Sequence, residues 1–556
     1  MQSGNGSFEQ RLGKTEIILS IALIAILSFS LAPLVAFAKN AIVGAGHASL
    51  LASLGSISVP VIVRSLQFTL LQAFASTALA IGIGLPGAWL AARFRFPGRR
   101  ALLALAAVPF CFPPILVILA FILYYGKEGY FSAFLALVMG QKSEYRGLLY
   151  SFWGLVLVHA FYNFPIAVHQ ISALWMRIPE SQKEAAKTLG ANRIMAFRTG
   201  TLPWLLPGIA QAAGLIFLYC FFSFTTVLVF GGRTGSTLEV SIYQALRYQA
   251  NAGLALLFSV IETGFALLGI WFITGMTQKK QHALRDFGRR RELSSPKGSQ
   301  RVLLAIYGIL LLIFFIGPLV SIVVEAFRVP ASLGGASHFG FGNFERLLKG
   351  FQAPLLKAIR ATLTLSGSAA LLATIAGVIA GISVFIGKKA GKLHFTYRIV
   401  EALQWLPLAV SPAVFAYGWL FLSPDRTISA ALIAAQAVIA WPFVSRAVSA
   451  SLQSLDPRMR EAGRTLGASP LCAFLTIDLR VIAPSVAAAA AFAFSITAGD
   501  VNVPLMLGMS EIETLPLLLF RLTAAYRFNE ACAAGLVLGL MTGIVFFLKE
   551  KAIDVA

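Results

Sequence analysis

A helix needs about 20 consecutive, mostly apolar residues to cross roughly 30 Å of hydrocarbon. The sequence holds twelve runs of about that length, set off by charged or Pro/Gly-rich breaks. Six lie near 15–38, 64–91, 101–124, 148–175, 205–230 and 252–276, and six more near 302–327, 362–386, 397–422, 427–449, 481–499 and 531–548. They are called spans one to twelve below. The first is longer than a signal-peptide core and lacks a small-residue cleavage site, so it reads as a retained helix. Only 12% of the 556 residues are charged, against roughly 25% in a soluble domain, and mean hydropathy is +0.80. The expected fold is all-α and polytopic, with about twelve transmembrane helices.

The 45 Lys and Arg against 23 Asp and Glu give a formal charge of +22. A nucleic-acid binder gathers such charge on one soluble face, whereas here it sits between apolar runs, so nucleic acid is not an expected partner and membrane lipid is. Arg93, Arg95, Arg99 and Arg100 follow span two; Arg177, Lys183, Lys187, Arg193 and Arg198 follow span four; Lys279, Lys280, Arg285, Arg289, Arg290 and Arg291 follow span six. Every second loop is basic, which places those loops and both termini in the cytoplasm by the positive-inside rule. The stretch 328–361 runs against that rule, with Arg328, Arg346, Lys349, Lys357 and Arg360 against Glu345 alone. Cys111, Cys220, Cys472 and Cys532 lie in or beside apolar runs without a CxxC pair and read as membrane-helix residues.

One offset recurs along the chain. Glu184-Ala185-Ala186-Lys187-Thr188-Leu189-Gly190-Ala191 matches Glu461-Ala462-Gly463-Arg464-Thr465-Leu466-Gly467-Ala468 at six of eight positions, with 461 − 184 = 277. The same shift carries Pro165 onto Pro442, Gly231 onto Gly508 and Thr237-Leu238 onto Thr514-Leu515. Six spans per copy is an even number, so both copies cross the membrane in the same sense. The repeats are parallel, related by an axis along the membrane normal, with a pathway expected between them. The expected division is 1–276, a hydrophilic linker at 277–301, and 302–556.

The best-matched segment of each copy lies in the loop before its fifth span. A loop in water has no lipid-facing reason to repeat, so a partner surface is the better explanation. Pro179 and Pro457 suit the start of a helix, the residues that follow are helix formers, and Gly190 and Gly467 permit the left-handed turn that ends one. A short helix, a turn and a second short segment are expected, with Glu184 and Glu461 free to accept a charge-assisted hydrogen bond from a partner.

At these residues the sequence resembles the permease subunits of binding-protein-dependent ABC importers, whose signature is Glu-Ala-Ala, three residues, Gly, nine residues, Ile, one residue, Leu-Pro. Copy one carries Glu184, Ala185, Ala186, Gly190, Leu202 and Pro203, with Gly200 at the isoleucine position. Copy two carries Glu461, Ala462, Gly467, Ile477 and Leu479, with Gly463 and Arg480 at the second alanine and the proline. The resemblance implies a type I importer permease fold in the bacterial inner membrane. It also implies two copies of a cytoplasmic ATPase docked on the two loops, and a periplasmic binding protein that delivers substrate. The fused double form is similar to the subfamily that imports ferric iron or thiamine. Arg95–Arg99, Phe222–Leu228, Thr237–Leu246, Gly499-Asp500 and Thr514-Leu515-Pro516 look closer to the thiamine branch, which implies thiamine or a thiamine phosphate as substrate, with ferric iron as the alternative.

No Walker A motif is present, so the chain is not expected to be an enzyme; ATP and Mg belong to the partner, and no cofactor or metal is expected here. Gly82-x-Gly84-x-x-Gly87 satisfies the dinucleotide pattern, but it lies inside an apolar run, where glycines let helices approach. His159 and His169 read as packing or interfacial groups, and no catalytic constellation is visible. An acidic residue at the end of an apolar run is a site candidate, which singles out Asp500; its repeat counterpart is Ser223 (223 + 277 = 500). Asp500 faces a pathway or caps a helix end. Asn163, before Pro165, is a weaker pathway candidate. A twelve-span carrier driven by an ion gradient is the competing class; it lacks a reason for paired loops and would place carboxylates at mid-membrane.

Overall fold

The computed structural model describes residues 3–44, 59–104, 113–139, 149–231, 235–285, 293–331, 336–350, 353–390, 404–423, 427–468, 470–508 and 512–554. Among these, eleven helices are long and apolar enough to cross a membrane. In lipid each backbone polar group must bond within its own segment, and the sequence complies. The one strand pair among the described residues is the two-residue pairing of Arg328–Val329 with His338–Phe339, just outside span seven.

Most expected spans match a helix, and four differ in extent, span five because it breaks after Phe221 and resumes as Thr225–Phe230. Span three begins at Pro114, because Pro113 and Pro114 have no N–H to continue a helix from before. Arg99–Ala104 is helical, residues 105–112 of the expected span lie outside the described residues, and the apolar course continues through Tyr130–Met139. Span nine is described only as Leu406–Ala409 and Pro412–Leu422, and its first residues, like Cys111, lie outside the described residues. Span six does not stop at the expected linker: the helix Ala252–Arg285 carries on through its first nine residues. The remainder returns to the bundle, where Ser294 makes a parallel bridge to Phe94 and its carbonyl accepts from the Arg95 N–H at 2.9 Å.

The loops sort onto two faces as alternating crossings require. On one face, the end of span two meets the loop after span four through Arg93 Nη2 and Glu180 Oε1 at 3.6 Å. There Arg99 also donates to Met176 Sδ at 3.2 Å. On the other face Glu325, at the end of span seven, accepts from Tyr130 beyond span three, from Arg328 at 3.2 Å, and from Asn529 at the start of span twelve at 2.6 Å. In the basic stretch 328–361, Arg328 and Lys349 are thus partly offset by Glu325 and Glu345.

The first helix of each half packs against the other half. Span one lies on spans nine and ten: the backbone of Pro33 occupies the space a Cβ at Gly418 would need, and Trp441 Nε1 donates to Ser30 Oγ at 3.1 Å. Span seven lies on spans two and four: Tyr307 Oη donates to the Ile83 carbonyl at 3.3 Å, and Phe315 stacks on Phe161 at 4.5 Å. The halves of the sequence are therefore interlocked.

Lipid tails are as apolar as the side chains, so close van der Waals approach holds such helices together. Small residues set it. A Cβ on Gly84 would lie 2.6 Å from Ala167 Cβ, and one on Gly377 2.5 Å from Val444 Cβ. Ala167 and Val444 are repeat partners (167 + 277 = 444), so the same second-to-fourth helix crossing is built twice. Two of the three glycines at 82–87 are thereby explained as packing: Gly84 meets span four and Gly87 meets Tyr307. Gly84→Val should cost about 1–3 kcal/mol by overpacking and lower the midpoint of thermal unfolding in detergent. Gly82→Val, where a Cβ meets nothing within 4 Å, should leave it unchanged.

Candidate functional site

The two halves meet at corresponding residues. Span five ends at Phe221 and is followed by the short helix Thr225–Phe230; span eleven ends at Gly499 and is followed by Asn502–Leu507. Thr225 Oγ1 donates to Asn502 Oδ1 at 2.6 Å, and 225 + 277 = 502. Equivalent positions of a parallel duplication touch only where the local axis passes, so this bond marks it. A second tie crosses the halves at Glu239, fully buried, whose Oε1 accepts from Ser411 Oγ at 2.9 Å.

Beside the axis lies a cavity of about 340 Å³, within the size range of small-molecule sites. Both halves line it, and so do all three sequence candidates, Asn163, Ser223 and Asp500. Its walls are largely apolar and include six aromatic residues, Tyr162, Tyr219, Phe222, Phe224, Trp405 and Phe443. The polar groups come as repeat-related pairs. In half one His159 Nε2 and Ser223 Oγ are hydrogen-bonded at 2.7 Å. In half two Gln436 Nε2 donates to Asp500 Oδ2 at 3.2 Å, and both members follow the offset (159 + 277 = 436; 223 + 277 = 500).

Asp500 holds the start of a helix and lines the cavity. Its carboxylate accepts from the N–H groups of Asn502 at 2.9 Å and Val503 at 3.4 Å, opening the helix that follows, while the residue also lines the cavity. Asn163 donates to the His159 carbonyl at 2.9 Å, and its Oδ1 is buried without a hydrogen-bond partner.

His159, expected as a packing or interfacial group, lines the cavity, and so do Gln436 and Arg446, which the sequence did not single out. His159 and Gln436 are a polar pair at matched positions of two apolar spans, and the offset could have exposed them. Arg446 could not be found that way: its counterpart His169 (169 + 277 = 446) is exposed and lies off the cavity. The Arg446 guanidinium lies 3.5 Å above the Trp405 ring.

Away from the cavity, on the face of Arg93, each half presents its repeated loop. In half one the helix Glu180–Thr188 ends at Gly190 with φ +84°, and Ala191 N–H returns to the Ala186 carbonyl at 3.1 Å. In half two Pro457–Thr465 ends at Gly467 with φ +82°, and Ala468 N–H returns to the Gly463 carbonyl at 3.0 Å. These are the left-handed helix ends that glycine favours. Glu184, Ala185, Glu461 and Ala462 are exposed. So are the repeat partners Leu189 and Leu466, at 87% and 88%, unusual for leucines on a water-facing loop.

The second short segment differs between the copies, for a readable reason. Half one forms a separate helix Arg193–Gly200, capped by Asn192, and restarts at Leu202; Pro203 has no N–H to bond across the junction. Half two has Arg480 at that position, and Pro470–Ala473, a π turn at Phe474–Asp478 and Leu479–Gly499 run on as one course. The other two departures from the signature lie where the loop helix meets the segment after it. At Gly200 a Cβ would lie 2.8 Å from the Gln182 carbonyl oxygen. In half two that position is Ile477, and it fits because Gly463 faces it: a Cβ there would lie 2.7 Å from Ile477 Cδ1.

A duplicated lipid-spanning bundle with a small-molecule cavity on its axis is a membrane permease. The chain belongs to the family described as binding-protein-dependent transport system inner membrane component, whose profile matches residues 82–281 and 373–549. It is a multi-pass inner-membrane transport subunit of a family that lacks an ATPase domain and functions with ATPase and binding-protein partners. That membership sets the ion-gradient carrier aside. Each match leaves out the first span of its half, the helix that packs across the halves. The chain is 26% identical over 496 residues to the thiamine transport system permease protein ThiP of Brucella abortus strain 2308, covering 88% of this chain and 87% of that protein. It is 26% identical over 499 residues to ThiP of Escherichia coli K12, covering 87% and 88%. It is 25% identical over 496 residues to the Fe(3+)-transport system permease protein FbpB 2 of Haemophilus influenzae, covering 88% and 90%.

Gly463→Ala should destabilise the half-two loop by about 1–3 kcal/mol through overpacking, read as faster hydrogen exchange of the Glu461–Leu466 amides. Adding Ile477→Val should restore protection; a single variant that exchanges like the wild type would sink the compensation argument.

Proposed function

We propose that this chain is the path by which thiamine or a thiamine phosphate enters the cytoplasm. A periplasmic binding protein delivers the substrate, and two copies of an ATPase drive the cycle from the loops at Glu184–Pro203 and Glu461–Arg480. The observation that carries the substrate reading is a carboxylate, Asp500, in a cavity walled by six aromatic rings. Aromatic faces attract a cation above the ring plane, and thiamine is a flat heteroaromatic cation. Among the residues lining the cavity Asp500 alone carries a carboxylate. The names of the relatives point the same way.

In this reading the positive-inside pattern puts the loops and both termini in the cytoplasm. The exposed Leu189 and Leu466 enter a cleft of the ATPase, and Glu184 and Glu461 accept hydrogen bonds from its basic residues. Closure of the ATPase dimer around ATP moves both loops together, and the interlocked helices pass the motion to the cavity. The chain supplies coupling and a path, and ATP supplies the free energy elsewhere.

A second reading, ferric iron, is favoured by FbpB 2 and by the oxygen and nitrogen groups of Tyr162, Tyr219, His159 and Asp500 around one space. ATPase stimulation separates the two. With the chain, its ATPase and its binding protein in proteoliposomes, thiamine or its phosphate should stimulate hydrolysis and ferric citrate should not; the reverse result overturns the thiamine reading. Asp500→Asn should lower thiamine uptake about tenfold or more, as expected for loss of a charge-assisted contact, while the ATPase still co-purifies. Unchanged uptake would remove Asp500 from the pathway. Glu184→Lys combined with Glu461→Lys should lose the ATPase on purification or uncouple hydrolysis from uptake, and normal co-purification with normal uptake would count against the docking assignment.

A further inference from the structure

We propose that Arg446 reads an anionic group on the substrate, and so sets the preference of this chain between a phosphate ester and the unphosphorylated parent. The proposal rests on the thiamine reading above and goes one step past it. Arg446 stands on span ten, inside an apolar helix. An ionisable side chain at such a place needs a partner or a task. The Arg446 guanidinium carbon sits 3.5 Å above the centre of the Trp405 ring, and its Nη2 is buried with no hydrogen-bond partner.

Stacking uses the flat face of a guanidinium and leaves its N–H groups pointing outward along the edge. An edge N–H buried without an acceptor is costly, and the group that would relieve it must come with two properties. It must accept hydrogen bonds from a planar fork, and it must be negative; a phosphate oxygen pair meets both. The cavity itself holds no such acceptor for Arg446. Its one carboxylate, Asp500, is taken up by Gln436 and by the N–H groups of Asn502 and Val503. The cavity therefore offers a carboxylate and a guanidinium on the same aromatic-walled space, which suits a substrate with a cationic ring and an anionic tail. Because the repeat counterpart of Arg446 is the exposed His169, the tail is read by half two alone.

The test uses the whole complex of this chain, its ATPase and its binding protein in proteoliposomes, with radiolabelled thiamine and thiamine monophosphate supplied separately. The binding protein is the same in every arm, so a change between variants belongs to this chain. Arg446→Gln should lower monophosphate uptake about tenfold, the scale of one charge-assisted contact, while thiamine uptake stays within about twofold. Arg446→Lys, which keeps the charge and loses the fork, should fall between. Co-purification of the ATPase with each variant shows that it is folded. If both uptakes fall together, Arg446 is a packing strut under Trp405 and the proposal fails; it fails equally if neither falls. A wild-type complex that carries thiamine but no monophosphate leaves the thiamine reading standing and overturns the role of Arg446. One that carries neither overturns both.

Discussion

The hydrogen bond between Thr225 and Asn502 ties the molecule together, because it joins one position of the sequence to its own copy 277 residues on. Two six-span units laid side by side in the same sense must meet along an axis, and this is where they do. The unwound turns after spans five and eleven sit at that place, and a break in a helix at membrane depth is tolerated only where protein or a cavity receives its backbone. The cavity next to it follows from the same geometry. The first helix of each half then closes the arrangement from outside, with Trp441 holding Ser30 and Tyr307 holding the Ile83 carbonyl.

Function resides where the copies stopped being equal. Symmetry alone would place the same polar pair on both sides of the axis. Half one has His159 with Ser223, and half two has Gln436 with Asp500, so a neutral wall faces one with a carboxylate. Arg446 against the exposed His169 repeats the asymmetry ten residues, nearly three turns, further along the helix pair. A small asymmetric substrate needs an asymmetric site, and a fused chain can evolve one because its halves mutate independently.

The loops show the opposite pressure. Their helices end on glycines at φ +84° and +82° and expose matched leucines, so the outward surface is kept while the support beneath it drifts. Gly200 packs on the Gln182 backbone in half one, while in half two Ile477 fits its loop helix because Gly463 opposite has no side chain.

Much of this was legible in the sequence, since it depends on local rules. Apolar length dictates helices in lipid, the offset dictates two parallel units, and Gly190 and Gly467 dictate where the loop helices stop. Asp500, Ser223 and Asn163 could be named because a polar residue in an apolar span is conspicuous on its own. What tertiary structure decided is which of these meet, and who joins them. Trp405 and Arg446 lie 41 positions apart in one half and carry no motif, and they form a site only when spans nine and ten face the cavity. Span one packs on half two and the linker folds back onto Phe94, against the simplest division of the chain. Hydropathy reports how much a segment prefers lipid; the partner it chooses within lipid is set by shape, by a missing Cβ or a single hydrogen bond, and those become visible only once the helices are assembled.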